Sequence, residues 1–178
     1  MRLVAGACVL LLVAAFTPAA ATSAGVAGPR PCTLLTSKLA NQYAPGVKGG
    51  PVTNTADACG YSDRKPVARS RWQITFEIPL LLGVSAAKLW TIYRDSVLND
   101  PSTDVVTGML PRSKSGADRA VWSVNTSETT SAGPSQTIQI VWVKGRTFGI
   151  LRIFTPSGKS PSVNESARLL RTLLVSIR

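Results

Sequence analysis

The sequence has 178 residues, of which 20 are Lys or Arg and 9 are Asp or Glu, so its formal net charge at pH 7 is +11. It has no histidine, which excludes Ser-His-Asp and Cys-His catalytic arrangements. Because the chain has no histidine and only three cysteines, we expect neither a metal site nor a cofactor. The positive charge indicates anionic surroundings, which outside the cytoplasm are envelope polymers, lipid headgroups or acidic proteins more often than nucleic acid. A Lys- and Arg-rich surface that serves only solubility explains the charge equally well.

The N-terminal segment has the layout of a secretory signal peptide. Arg2 supplies a positive charge, the apolar run "LVAGACVLLLVAAF" follows, and sites of the A-x-A type lie between Ala19 and Ala27. The run is shorter than the roughly 20 apolar residues that a spanning helix needs, although an uncleaved membrane anchor is the alternative. We therefore predict a signal peptide at residues 1–27 and one secreted domain at residues 28–178, without a stable membrane span after cleavage.

The placement of the cysteines predicts one disulfide bond. Cys8 lies inside the apolar run and is removed with it, which leaves Cys32 and Cys59. In an oxidising compartment an even pair of cysteines normally forms a disulfide, and the chain-entropy model assigns a loop of this size roughly 3–4 kcal/mol. Neither Cys8 nor Cys32 stands where lipid attachment requires a cysteine, so we expect a soluble secreted form.

The mature sequence begins with a helical pattern and a short strand. In "PCTLLTSKLANQY", Thr33 is a suitable N-cap, and Leu35, Leu39 and Tyr43 recur one turn apart. Glycines and prolines between residues 45 and 51 end this helix, and "ACGYS" then predicts a strand that carries Cys59. The predicted disulfide therefore joins the first helix to a strand.

The next segments alternate between strand and helix patterns. "RWQITFEI" places Trp72, Ile74, Phe76 and Ile78 on one face and polar residues on the other, which predicts a strand with one face in water. "GVSAAKLWTIYRDSVLND" changes to helical spacing with Ser85 at the N-cap, and its Asn-Asp ending before a proline stops the helix. Strands are predicted around residues 105–110 and 119–125, followed by the polar loop "TSETTSAGPS".

The strongest hairpin pattern is "TIQIVWVKGRTFGILRIF". A two-residue turn at Lys144-Gly145 pairs Val143 with Arg146. Both faces of the predicted strand pair are apolar, so both need cover from other elements of the fold.

The C-terminal pattern predicts a helix. Ser162 and Glu165 form a capping box at its start. The apolar stripe that follows is made of Val163, Ala167, Leu170, Leu174 and Ile177. The order of elements predicts an α+β fold in which a mainly antiparallel β-sheet is covered by helices, as a single domain with one disulfide.

A resemblance to a known family rests on three stretches of the sequence. "PCTLLTSKLA", the later "CGY", and "DRAVWSV" leading to "VWVKGRTFGIL" resemble a family of secreted actinobacterial proteins of unknown function. Many members are lipoproteins, and they share Cys-x-Leu-Leu-Thr, a helix, a short loop and Cys-x-Tyr or Cys-x-Trp. The resemblance covers most of the mature chain and implies an envelope or extracellular location, supports a Cys32–Cys59 bond, and implies no activity. This chain differs from many members because it lacks a lipobox.

Three short motifs match the order found in penicillin-binding proteins and serine β-lactamases. They are Ser85-x-x-Lys88, Ser123-x-Asn125 and Lys144-Gly145-Arg146. That fold needs a longer chain than this one, and Ser85 is explained as a helix N-cap. The acidic residues Asp100 and Asp104 likewise suit the end of a helix and the start of a strand. We therefore predict that the protein is not an enzyme and has no catalytic residues.

Two functions from different classes remain. The first is a secreted, non-enzymatic binding domain that engages an anionic envelope component or a partner protein through a basic face. Its candidate residues are Arg64, Lys65, Arg69, Arg71, Lys144 and Arg146. The alternative is a structural or accessory envelope protein that holds an apolar ligand between sheet and helix. For each candidate residue, ordinary surface charge is the competing interpretation.

The predicted partners and location follow from the same features. Aromatic residues make up only 6% of the chain, so we expect no nucleic-acid partner. We expect a secreted, extracytoplasmic protein, and the sequence leaves open whether it stays associated with the cell envelope.

Overall fold

The computed structural model describes residues 29–45, 47, 49–63, 72–81, 83–102, 104–126, 129–130, 133–156 and 161–177. The predicted signal peptide lies outside these ranges, so its assignment stays a prediction. Within them, the chain forms one α+β domain with a mainly antiparallel sheet and helices, as the order of elements predicts. None of the helices in these ranges has the length and apolar character needed to cross a bilayer.

The described parts of the chain form five helices and eight strands. The helices are α1 (Pro31–Leu34), α2 (Ser37–Tyr43), α3 (Ala86–Leu98), α4 (Arg112–Ser115) and α5 (Val163–Leu174). The strands are β1 (Thr53–Asn54), β2 (Ala58–Ser62), β3 (Gln73–Glu77), β4 (Val105–Met109), β5 (Arg119–Asn125), β6 (Thr129–Thr130), β7 (Gly133–Lys144) and β8 (Thr147–Pro156). Their order in the sheet is β1-β2-β3-β8-β7-β5-β4, and β6 pairs with β7 beside this path.

Helices cover both faces of the sheet. On the first face, the fully buried side chains of Phe76, Ile140 and Leu151 belong to the same core as residues of α2 and α5. On the second face, Val141 and Ile150 pack in a separate core with residues of α3. Because successive residues of a strand point to opposite faces, the hairpin of β7 and β8 has buried apolar residues on both sides, as its sequence predicts.

The predicted disulfide is confirmed. Cys32 in α1 and Cys59 in β2 are joined by an S–S bond of 2.03 Å, and their Cα atoms are 4.9 Å apart. Cys59 is fully buried in the core of the first face, so the bond fixes α1 directly onto the sheet. The two cysteines are 27 residues apart in the sequence, and closing a loop of that length restricts the unfolded chain.

The N-terminal helix differs from the prediction at its start. Thr33 lies inside α1, and its hydroxyl donates a hydrogen bond of 2.7 Å to the Arg30 carbonyl. The chain leaves helical geometry at Leu35, and α2 begins with Thr36 as its N-cap, which accepts from the Leu39 N–H at 3.3 Å. The predicted Thr33 cap is therefore wrong. Leu35 is fully buried, and its carbonyl oxygen lies 3.6 Å from Sγ of Cys59, so the interruption of the helix lies at the disulfide.

The turn of the β7–β8 hairpin lies one residue later than predicted. It consists of Gly145-Arg146, so Lys144 pairs with Thr147. Gly145 has a φ of 56°, which suits the first position of a type I′ or type II′ hairpin turn. Its N–H donates a hydrogen bond of 2.8 Å to the carboxylate of Asp118. The predicted register is therefore wrong, because the glycine is needed inside the turn and a distant aspartate holds it there.

A tryptophan and a glycine fit together in the observed register. Trp142 pairs with Gly149, and a Cβ on that glycine would overlap Cζ2 of the indole. The indole therefore covers the glycine, and it stacks on Phe76 with ring centroids 5.7 Å apart. In the predicted register Trp142 would face Thr147, whose side chain would occupy the space that the indole needs.

Two more segments differ from the sequence prediction. The polar stretch predicted as a loop contains β6 and the first residues of β7, of which Gly133 and Pro134 pair with β6 and Ser135 pairs with β8. The four-residue helix α4 lies between the two predicted strands β4 and β5. A helix of that length has no apolar period to detect in the sequence.

Candidate functional site

An open groove lies at the margin of the first face, between the C-terminal end of α2, the residue before β3 and the first turns of α5. Its volume is about 650 Å³. The residues that line it are Gln42, Tyr43, Pro45, Trp72, Pro161, Glu165 and Arg168. The groove therefore combines two aromatic side chains with one carboxylate and one guanidinium.

Tyr43 and Trp72 form the aromatic part of the groove. Tyr43 is the last residue of α2, and Trp72 directly precedes β3 on the same face as Ile74. Asp63 holds the backbone of Trp72, because the Asp63 N–H donates to the Trp72 carbonyl at 3.1 Å and the Asp63 carboxylate accepts from the Trp72 N–H at 3.3 Å. Both rings are half-buried against the core of the first face, so part of each remains available to a ligand.

The N-terminal turns of α5 supply the charged part of the groove. The predicted capping box is confirmed: Oε2 of Glu165 accepts from the Ser162 N–H at 2.7 Å and from the Ser162 hydroxyl at 2.9 Å. These two hydrogen bonds lower the pKa of Glu165, and the charge of Arg168 lowers it further, so the carboxylate is ionised at neutral pH. Arg168 follows in the next turn of the helix and is exposed.

Basic side chains of α4 and α5 meet next to this groove. Lys114 donates to Oδ1 of Asn164 at 3.3 Å, and Arg171 donates to the Ser113 carbonyl at 3.1 Å. We define the α4–α5 basic surface as the exposed residues Arg112, Lys114, Arg168 and Arg171. No local pattern in the sequence indicates this surface, because the contact between α4 and α5 joins residues far apart in the chain.

Of the six residues predicted to form the basic face, the structure describes only Lys144 and Arg146. Lys144 is half-buried and donates to the Leu174 carbonyl at the end of α5, so its side chain makes a structural contact instead of facing only water. Arg146 is exposed in the turn, beside residues that precede and begin α3. The other four candidates lie outside the described residues, and their role stays a prediction: Arg64, Lys65, Arg69 and Arg71.

The three short motifs that match the order found in serine enzymes lie only partly close together in the structure. Ser85 is the N-cap of α3, as predicted, and its Oγ accepts from the Lys88 N–H at 3.2 Å. A second cleft of about 420 Å³ joins Ser85 to the turn of the hairpin. Lys144, however, directs its ammonium group to α5, and Ser123 lies within β5. That the protein is not an enzyme stays a prediction.

The groove offers an aromatic surface, an ionised carboxylate and a guanidinium, which are groups suited to noncovalent binding. Across the residues that the structure describes, His, Cys, Asp and Glu side chains form no group of three that could hold a metal ion. No family model, no curated protein and no solved structure matches this chain.

Proposed function

We propose that the chain is a secreted, non-enzymatic binding domain of the cell envelope, and that it holds an anionic envelope component in the groove. The observation that carries the proposal is the position of Arg168, which lines the groove and also belongs to the α4–α5 basic surface. A ligand would rest its apolar or ring portion on Tyr43 and Trp72, while its negative groups would meet the guanidinium. The net charge of +11 favours the approach of such ligands.

The proposed location rests on the sequence pattern and on compartment chemistry. The N-terminal segment has the layout of a signal peptide. A disulfide between the two cysteines that remain after its removal suits an oxidising compartment. The resemblance to secreted actinobacterial proteins supports the same location.

Chromatography on phosphocellulose tests the proposed ligand chemistry, because this matrix carries phosphate groups on a sugar polymer. Arg168→Ala should elute at a lower salt concentration than the wild-type protein, since it removes the positive charge of the groove. Lys88→Ala is the matched control, because it removes one exposed charge from α3 on the other face of the sheet. Equal shifts for the two variants would mean that only net charge matters and would contradict the proposed groove.

The half-buried rings of Tyr43 and Trp72 favour a second candidate, an apolar ligand held between sheet and helix. The neutral dye N-phenyl-1-naphthylamine is a suitable probe for it. Binding of the dye that is insensitive to salt and is lost in Trp72→Ala would support the apolar ligand. Retention on phosphocellulose that Arg168→Ala weakens more than Lys88→Ala does would support the anionic one.

A further inference from the structure

The last strand of the sheet, β4, has an unpaired edge. It lies at the end of the strand order and pairs only with β5 among the described strands. The Leu110 N–H donates to the Ala120 carbonyl at 2.9 Å, so these two residues are a hydrogen-bonded pair of the ladder between β4 and β5. Because hydrogen-bonded pairs alternate along an antiparallel ladder, the backbone N–H and C=O groups of Val105, Thr107 and Met109 point away from β5.

This edge lacks the usual protection of open strands, which consists of charged side chains, prolines or bulges. The strand reads "VVTGM", and Val106 and Met109 are 59% and 55% exposed. The Val105 N–H reaches the Ser102 carbonyl at 3.3 Å, whereas the outward groups of Thr107 and Met109 bond to nothing in the described parts of the chain. The opposite edge of the sheet is β1, which has only two residues.

We propose that β4 pairs with β4 of a second copy of this chain in antiparallel orientation, with the twofold axis at Thr107. Only an extended strand presents N–H and C=O groups at the spacing of this edge, so the partner must be a strand. Pairing about the axis sets Thr107 opposite its own copy and Val105 opposite Met109. Cross-strand Thr–Thr and apolar pairs of this kind stabilise a sheet.

The side chains on the first face fit the same pairing. Gly108 pairs with Trp122 of β5, and a Cβ on the glycine would lie 2.9 Å from the indole ring, so the ring covers the glycine. In the dimer, Val106 of the second copy lies opposite Gly108 and meets the edge of that indole. The exposed valine therefore gains an apolar neighbour without a steric conflict at the strand.

The charges at the two ends of β4 favour a second copy in this orientation. Asp104 directly precedes the strand, while Arg112 and Lys114 follow it. Arg112 forms an ion pair of 3.4 Å with Asp118, and its side chain is still 76% exposed. Antiparallel pairing brings the acidic end of one strand to the basic end of the other on both sides of the axis. Parallel pairing would bring like charges together, so the edge is complementary to itself in the antiparallel arrangement alone.

Sedimentation equilibrium of the protein purified from an exporting host tests the dimer. We expect the mass to double as the concentration rises through the micromolar range. Thr107→Pro should keep the protein monomeric while preserving the fold, because the lost N–H does not bond to β5. Met109→Lys should also prevent the dimer, without a change of the backbone. The matched control, Val52→Lys, adds the same charge beside β1 at a residue that is 50% exposed, and it should still dimerise.

A cysteine scan tests the register. Thr107→Cys should form a disulfide between two copies on oxidation, because residue 107 faces itself across the axis within the Cα distance that a disulfide needs. Val105→Cys should not, because it faces residue 109. Equal crosslinking of the two variants, or a dimer that survives both Thr107→Pro and Met109→Lys, would overturn the proposal. A wild-type protein that stays monomeric would also overturn it and would leave the edge to an extended segment of another protein.

Discussion

Two neighbouring rows of residues run across the sheet, one on each face, and they differ in polarity at the centre of the sheet. There, the row on the first face is fully buried and contains Phe76, Leu151 and Ile140. The next row, on the second face, is polar and half-buried and contains Thr75, Arg152 and Gln139. Arg152 donates to Oε1 of Gln139 at 2.8 Å and forms an ion pair with Glu77.

The difference between the rows shows why the groove lies where it does. The first face is covered by α1, α2 and α5 and is tied by the disulfide, and its aromatic core residues emerge at the margin as Tyr43 and Trp72. On the second face, α3 covers the apolar part, and the polar side chains beyond it bond to one another. Aromatic and charged side chains meet in the groove at the margin of the first face, a combination suited to ligand binding.

Among the substitutions that distinguish the two faces, replacing Trp90, which packs α3 onto the second face, should have the largest effect on stability. Trp90 is 2% exposed in the core of the second face. Trp90→Ala should lower the free energy of unfolding by about 3–5 kcal/mol, measured by urea denaturation. Because α3 packs on the other face from the groove, retention of the folded variant on phosphocellulose should match that of the wild type. A folded variant with weaker retention would show that the two faces are not independent.

Removing the disulfide should have a somewhat smaller effect on stability, but it should reach the groove. Cys32→Ala with Cys59→Ala should lower the free energy of unfolding by about 2–5 kcal/mol, the usual loss for a small secreted domain. Since the bond fixes α1, and α2 follows it directly, hydrogen exchange should become faster in α2 and remain unchanged in α3. A cost below about 0.5 kcal/mol, as for an ordinary surface substitution, would mean that packing alone holds these helices on the sheet.

The elements of the fold that depend on local patterns could be predicted from the sequence. The capping box of Ser162 and Glu165, the N-cap at Ser85 and the alternation through β3 are all signals within a few residues, and the structure confirms them. The register of the hairpin could not be predicted, because it depends on contacts between distant residues. Asp118 holds the turn, and the indole of Trp142 needs a glycine opposite it.

The candidate site was harder to predict than the fold for the same reason. In the sequence, Trp72 is one more apolar residue of a strand, and Arg168 is a solvated residue of a helix. Only the packing of α5 beside the residue before β3 brings them to one groove. The basic candidates that precede β3 in the sequence lie outside the described residues and remain predictions.

The two basic residues of the hairpin tip provide the smallest and sharpest test, because they point to different faces. Lys144→Ala should lower the free energy of unfolding by about 1 kcal/mol, since its ammonium group lies at the C-terminal end of α5, where a positive charge is favourable. The Leu174 carbonyl also accepts from the Ile177 N–H at 3.2 Å, so the substitution leaves no unsatisfied group, and the cost stays near this value. Arg146→Ala should change stability by less than about 0.5 kcal/mol, because its side chain is exposed. Urea denaturation of both variants distinguishes them, and an equal or reversed order would mean that the contact between Lys144 and α5 contributes nothing to the stability of the first face.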